Sequence, residues 1–137
     1  MAVFDLDNLN EGAWFPYGED AKVKLRACPV SVMQSIREKF VKHQVEYKKK
    51  TKYGEQQRIE YDEIKPADLK KIRAEIYDYT IQDWEGFTDP KGKALPCTRK
   101  TKVALMDGSP QFSTFVEEST AQLDKDIEAE KETTEKN

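Results

Sequence analysis

A chain of 137 residues has the length of a single domain. Because 37% of its residues are hydrophobic and 36% are charged, its core must be small and its surface densely charged. No stretch approaches the roughly 20 apolar residues that a membrane span needs, and the acidic N-terminus MAVFDLDNLNEG lacks the basic and apolar segments of a secretion signal. We therefore expect a soluble cytoplasmic protein.

The residues that usually carry enzyme chemistry are scarce. The sequence has two cysteines, Cys28 and Cys97, and one histidine, His43, too few for the four closely spaced ligands of a zinc site. A Cys–His nucleophile pair would need a proximity that the sequence does not show, and neither a Gly-x-Ser-x-Gly elbow nor a phosphate-binding glycine loop is found. We predict no enzyme activity, no metal and no cofactor, and reduced thiols rather than a disulfide.

Alternation of apolar and basic residues predicts a strand near the N-terminus. In AKVKLRAC, residues 21–28, apolar positions alternate with Lys or Arg, which indicates a half-buried strand with one basic face. Pro16 and Gly18 indicate a turn before this strand. The segment RIEYDEI, residues 58–64, alternates less regularly and is predicted to be a short strand beside the first.

Four later segments have apolar residues at helical spacing and a capping residue or proline near their start. They are 30–47, 66–84, 99–107 and 110–127. The residues expected at their starts are Ser31, Pro66, Thr98 and the pair Ser109-Pro110. From Glu128 onward the chain is acidic and has no large apolar residue, so disorder is expected there.

These segments together predict a mainly helical α+β fold, with a small N-terminal β element followed by about four helices. We expect a single globular domain over residues 1–127 and a disordered acidic tail over residues 128–137. The oligomeric state does not follow from the sequence.

The stretch DWEGFTDPKGKALPCT, residues 83–98, combines aromatic residues, a Pro/Gly turn and a cysteine. A ligand platform on Trp84 or a redox or metal corner at Cys97 are possible interpretations. A structural corner between two helices is favoured, because a glycine commonly ends a helix and DPKG suits a type I turn. The residues assigned to this corner are Trp84, Gly86, Phe87, Cys97 and Thr98.

A candidate partner-binding face lies in the last predicted helix. Its apolar residues are Phe112, Phe115, Val116, Leu123 and Ile127. The first three could instead complete the protein's own core, whereas the last two stand in a strongly acidic segment and are better suited to docking in the groove of a partner.

A lysine cluster provides a nucleic-acid hypothesis. It comprises Lys42, Lys48, Lys49, Lys50 and Lys52, interleaved with Tyr47 and Tyr53. Basic side chains could contact phosphates while aromatic rings stack on bases. The net charge of −3 argues against this function, so the cluster is expected to be a solvated loop.

Two stretches resemble proteins of the tail modules of long-tailed bacteriophages, a family often identified as tail assembly chaperones. One is the pattern that begins at Trp84 and Gly86, continues through Asp89 and Gly92, and ends in Leu-Pro-Cys-Thr at residues 95–98. The other is WFPYGEDAKVKLR, residues 14–26. The resemblance extends over roughly residues 12–120, and neither stretch is a catalytic motif.

The resemblance implies a non-enzymatic function in the cytoplasm of a bacterial host. Tail assembly chaperones bind the long tape measure protein while tail tube subunits assemble around it, so both are implied as partners. Neither nucleic acid nor a membrane is expected as a partner. The alternatives are a structural virion component, such as a head–tail connector or minor tail protein, and a nucleic-acid-binding regulator acting through Lys48–Lys52.

Overall fold

A computed structural model describes residues 3–7, 9–49 and 53–136, with side chains described as far as Lys125. The described residues form five strands in two sheets and four helices. The strands are β1 (Ala13–Tyr17), β2 (Ala21–Leu25), β3 (Val41–Lys49), β4 (Gln56–Ile64) and β5 (Ile81–Glu85). The helices are α1 (Val30–Glu38), α2 (Pro66–Thr80), α3 (Arg99–Gly108) and α4 (Pro110–Lys136).

The first sheet has the strand order β1-β2-β5 and is antiparallel throughout. Its central strand is the predicted basic-apolar strand: Val23 and Leu25 are fully buried, while Lys22 is exposed. This prediction is confirmed. The preceding turn begins later than expected, because Pro16 lies within β1. As β1 is an edge strand, the missing N–H of a proline can be accommodated there.

The second predicted helix is too long. Helix α2 ends at Thr80 and not at Trp84, because the residues from Ile81 onward form strand β5. The pairing of β2 with β5 changes register, so that Val23 lies opposite Trp84 and Leu25 opposite Ile81. Gln82 is thereby left without a cross-strand partner, as in a β-bulge. The bulge allows Ile81 and Trp84, three positions apart, both to be buried in the core.

The main core lies between the first sheet and the last two helices. Its buried members are Val23, Leu25, Ile81, Trp84, Met106, Phe112 and Val116. Helix α3 packs on both α2 and α4, and α4 also contacts β2. The apolar residues predicted on separate elements therefore come together in one cluster.

Helices α2 and α3 are also joined by charged groups. Lys102 is only 5% exposed. Its Nζ donates to Asp78 Oδ1 at 3.0 Å and to the Asp78 carbonyl oxygen at 3.3 Å. Arg99 donates to the other carboxylate oxygen of Asp78 at 3.1 Å. Asp78 thus neutralises a buried ammonium group and an exposed guanidinium at the same time.

The second sheet is the hairpin of β3 and β4, which pair antiparallel from Val41–Ile64 to Lys49–Gln56. The first predicted helix is therefore too long, because α1 ends at Glu38. It begins at Val30, and Ser31 is not its N-cap. The strand predicted over 58–64 exists, but it pairs with β3 and not with β2.

The predicted fold class is therefore wrong in the relative amounts of helix and strand. The described residues form a mixed α+β fold in which strands are distributed along the chain to Glu85, and not a mainly helical fold with a small N-terminal β element. Helix α4 includes 128–136, for which disorder was expected. Among the described residues, no helix is both long and apolar enough to span a membrane.

Candidate partner-binding groove

The predicted corner over residues 83–98 is a packed aromatic site. The ring of Trp84 stacks on Phe87 with centroids 5.1 Å apart and meets Phe112 edge-on at 6.5 Å. The indole Nε1–H donates to the carbonyl of Leu95 at 2.9 Å. A buried indole normally needs such an acceptor, and here the bond fixes the loop against the ring.

The turn in this corner is held by Asp89. One oxygen of its carboxylate accepts from the backbone N–H groups of Lys91 and Lys93, both at 2.9 Å. The Leu95 N–H donates to the Phe87 carbonyl at 2.9 Å, which closes the loop. Since Phe87 follows strand β5, the corner joins a strand to α3 and not two helices.

Cys97 has the environment of a structural cysteine. It is half-buried and packs against the main core, and burial raises the pKa of its thiol above the usual range despite the charge of Lys102. Burial likewise raises the pKa of Cys28, with Arg26 opposing it. Both cysteines are free. Among the described residues, no three His, Cys, Asp or Glu side chains are grouped to hold a metal ion.

Thr98 caps α3 as predicted, since its Oγ1 accepts from the backbone N–H of Thr101 at 3.4 Å. We expect Thr98→Ala to lower the free energy of unfolding by about 1 kcal/mol, the usual value of an N-cap. Thr98→Ser keeps the acceptor and is the control. Urea titration of the three proteins measures the difference, and equal losses in both variants would show that the methyl group matters more than the cap.

The predicted partner-binding residues differ in how deeply they are buried. Phe112 and Val116 are 2% and 4% exposed and belong to the core. Phe115 is half-buried, with its ring centroid 4.9 Å from that of Tyr17. Leu123 is half-buried, and the side chain of Ile127 lies outside the described residues. Partner binding by this set stays a prediction, for which Leu123 offers more accessible surface than the two core residues.

A groove lies beside α4 and brings together four helices. Its volume is about 390 Å³, and apolar side chains make up much of its wall. Among them are Cys28, Met33, Ile76, Met106 and Val116. Glu117 and Asp124, about two turns apart along α4, place two carboxylates at its border. We refer to this feature as the α4 groove.

The α4 groove was not recognised in the sequence, although one of its residues, Met33, belongs to an apolar stripe that was. Met33 lies in the stripe that predicts α1, yet it is 39% exposed while Ile36 on the same helix is buried. Its exposure comes from the position of α1 beside the other helices, which the spacing of apolar residues does not specify.

The described members of the lysine cluster, Lys42, Lys48 and Lys49, lie on β3 with Lys42 well separated from the other two. Lys42 lies near the base of β3, where a hydrogen bond with Lys65 and the like charge of that residue lower its pKa. Lys48 and Lys49 are six and seven residues further along the strand, about 20 Å away at 3.3 Å per residue. Lys50 and Lys52 lie outside the described residues.

Comparison with known proteins gives one family. The profile of the YdaY prophage protein family matches residues 31–137, which is more than half of the chain. The chain therefore belongs to the YdaY prophage protein family. No curated protein and no solved structure matches it.

The family membership confirms the phage origin that the sequence resemblance implied. It does not test the prediction of a tail assembly chaperone, because the family is described as a prophage protein and its description names no tail assembly function.

Proposed function

We propose that this prophage protein is a non-enzymatic tail assembly chaperone, and that it binds helical segments of the tape measure protein in the α4 groove. The observation that carries the proposal is the open apolar groove of about 390 Å³ at the junction of the four helices. Grooves of this kind receive the apolar face of an amphipathic helix, whose anchor residues recur at every third or fourth position.

The chemistry of the groove suits a partner of variable sequence. Met33 and Met106 both line it, and unbranched, polarisable methionine side chains adapt to differently shaped apolar groups. Such adaptability is useful for a protein that must contact successive segments of one long chain. It also favours weak contacts that later steps of tail assembly can displace.

The charges at the border of the groove indicate which partner segments fit. Glu117 and Asp124 are exposed carboxylates on α4 and border the apolar wall. A helix with Lys or Arg beside its apolar stripe would place opposite charges against them, which increases the association rate and selects the orientation. The proposed ligand is therefore an amphipathic helix with basic flanks.

The test is co-expression of this protein, tagged, with the tape measure protein of the same prophage. We expect a soluble complex with the wild type and with Met33→Leu, which keeps the apolar wall. Met33→Glu should weaken the complex at least tenfold, because a carboxylate is costly to bury against apolar side chains. Met33 is partly exposed, so the variant is expected to fold. Equal recovery of the partner with both variants would contradict binding in the groove.

Two further measurements distinguish the alternative functions. A chaperone is absent from purified particles, whereas a head–tail connector or minor tail protein remains in them. A nucleic-acid-binding regulator would bind DNA with an affinity that falls steeply with salt and that is lost when Lys48 and Lys49 are replaced by Glu.

A further inference from the structure

Among the described residues, the hairpin of β3 and β4 has unpaired outer edges and exposed side chains on both of its faces. Each strand is nine residues long, and within the described residues each pairs only with the other. Side chains on both faces are exposed, including Val45 at 38%, Tyr47 at 64% and Tyr61 at 38%. A two-stranded hairpin without further covering is marginally stable in water, and an open strand edge is a template for another strand.

The two outer edges of the hairpin differ in their charges. Lys42, Lys48 and Lys49 lie on β3, and lysines on an edge strand oppose pairing with another copy of the same edge. Strand β4, with the sequence QQRIEYDEI, has no lysine and carries one basic and three acidic residues. The edge of β4 is therefore the better candidate for association.

One antiparallel register of β4 with a second copy of itself pairs Arg58 with Glu60 and places no like charges opposite each other within the strand. When Ile59 lies opposite Ile59 of a second copy, Arg58 of each chain lies opposite Glu60 of the other. The adjacent registers that keep the same face of both hairpins together each bring like charges directly opposite one another, although the one centred on Glu60 also pairs Arg58 with Asp62. They place Arg58 opposite itself, Glu60 opposite itself, or Glu60 opposite Asp62, and like charges directly opposite are destabilising.

The two side chains that would pair in this register share one face of the hairpin. Arg58 Nη2 lies 2.6 Å from Glu60 Oε1 within the same strand, so both groups occupy one face of the hairpin. That face also carries Tyr47 and Val45, which lie opposite them on β3. The Arg58 and Glu60 side chains are 60% and 48% exposed, so they are free to exchange their contact for one with a second copy.

We propose that two copies of this protein associate through antiparallel pairing of β4 with β4 about Ile59, which forms a four-stranded sheet β3-β4-β4-β3. The charge complementarity of Arg58 and Glu60 selects the second copy as the partner of this edge and fixes its register. The inference is independent of the function proposed for the α4 groove.

The first test uses charge reversal and measures molar mass by light scattering after size exclusion. We expect the wild type to be a dimer. Arg58→Glu and Glu60→Arg should each raise the dimer dissociation constant at least tenfold, since each places like charges opposite one another. An equimolar mixture of the two variants should form a heterodimer, because acidic residues of one chain then face basic residues of the other. A monomeric wild type overturns the proposal, as does a mixture that stays monomeric.

The second test does not depend on reversed charges. Directly opposed residues in antiparallel strands have Cα atoms about 4.5–5.5 Å apart, which is within the range of a disulfide. Ile59→Cys should therefore form an intermolecular disulfide under mild oxidation. Glu63→Cys lies on the same strand but does not face itself in this register, and it should not. Equal cross-linking of both variants, or of neither, would overturn the proposed register.

Discussion

Gly86→Ala is expected to lower the free energy of unfolding by about 3 kcal/mol or more, which is a large fraction of the stability of a small domain. Gly86 follows β5 and has a φ of 85°, where a residue with a Cβ pays about 1–2 kcal/mol. An added Cβ would also collide with the carbonyl oxygen of Asp20 and lie 2.9 Å from Ala21 Cα. Both neighbours are backbone atoms of the chain that enters β2, so they cannot turn away.

Gly92 provides a matched control for this prediction. Its φ of 82° is nearly the same, but a Cβ there would meet no heavy atom within 4 Å. Gly92→Ala should therefore show the conformational cost alone, about 1–2 kcal/mol. Urea unfolding of both variants separates the two contributions. If Gly86→Ala and Gly92→Ala lose equal stability, the collision of the added Cβ with the start of β2 does not contribute to the destabilisation.

The sequence predicted the elements whose apolar residues follow a regular spacing and whose ends carry a local signal. Strand β2 alternates cleanly because one of its faces covers the core and the other carries Lys22 and Lys24. Helix α3 begins where Thr98 can cap it. In both cases the residues that determine the element lie within or next to it.

Strand β5 could not be predicted because a distant contact hides its period. Ile81 and Trp84 are spaced as on a helix, and they continue the stripe of α2. In the structure the register change opposite Lys24 and Leu25 adds one residue to β5, so that both side chains are buried. A bulge depends on the partner strand, and a single segment carries no sign of it.

Strand β3 and its pairing with β4 were missed for a different reason. A strand produces alternation only when one of its faces is buried, and most positions of β3 and β4 are exposed on both faces. Phe40 and Val41 then fitted the helical stripe that continues from Ile36. Within the described residues the outer edge of β4 is also unpaired, and this open edge with its charge pattern is the basis of the dimer proposal.

The candidate site was predicted only in part. The apolar stripe of α4 was recognised, but spacing alone does not separate Phe112, which is buried, from Leu123, which is half-buried. The α4 groove also requires Met33 and Met106 from two other helices. Its residues come from all four helices, and a site of this kind follows from their packing and not from any one motif.

Asp78→Asn is expected to destabilise the protein by about 2–3 kcal/mol at neutral pH. The substitution keeps the shape of the side chain but leaves the ammonium group of Lys102 buried without a countercharge. Removing one partner of a fully buried ion pair costs roughly 3–5 kcal/mol. The smaller value is expected here because the Asp78 side chain is 34% exposed. Thermal or urea unfolding at one pH measures the loss.

The double variant Asp78→Asn with Lys102→Met tests the cause of that loss. Methionine keeps the apolar stem and removes the buried charge, so the double variant should recover most of the stability lost in the single one. Replacement of a buried ion pair by apolar groups is often neutral. If the two substitutions are additive, the carboxylate stabilises the fold through another contact, for which the exposed Arg99 is the candidate.

The same pair predicts how stability depends on pH. Burial alone raises the pKa of Asp78, but hydrogen bonds from Lys102 and Arg99 outweigh it, and the pKa lies below its ordinary value. A carboxyl whose pKa is lower in the folded state stabilises the fold above its unfolded pKa, about 3.9, and this stability is lost as the pH falls through the folded value. Wild type should therefore lose more stability than Asp78→Asn between pH 5 and the acid limit of folding. Parallel pH profiles for the two proteins would mean that Asp78 is not held in its ionised form by these partners.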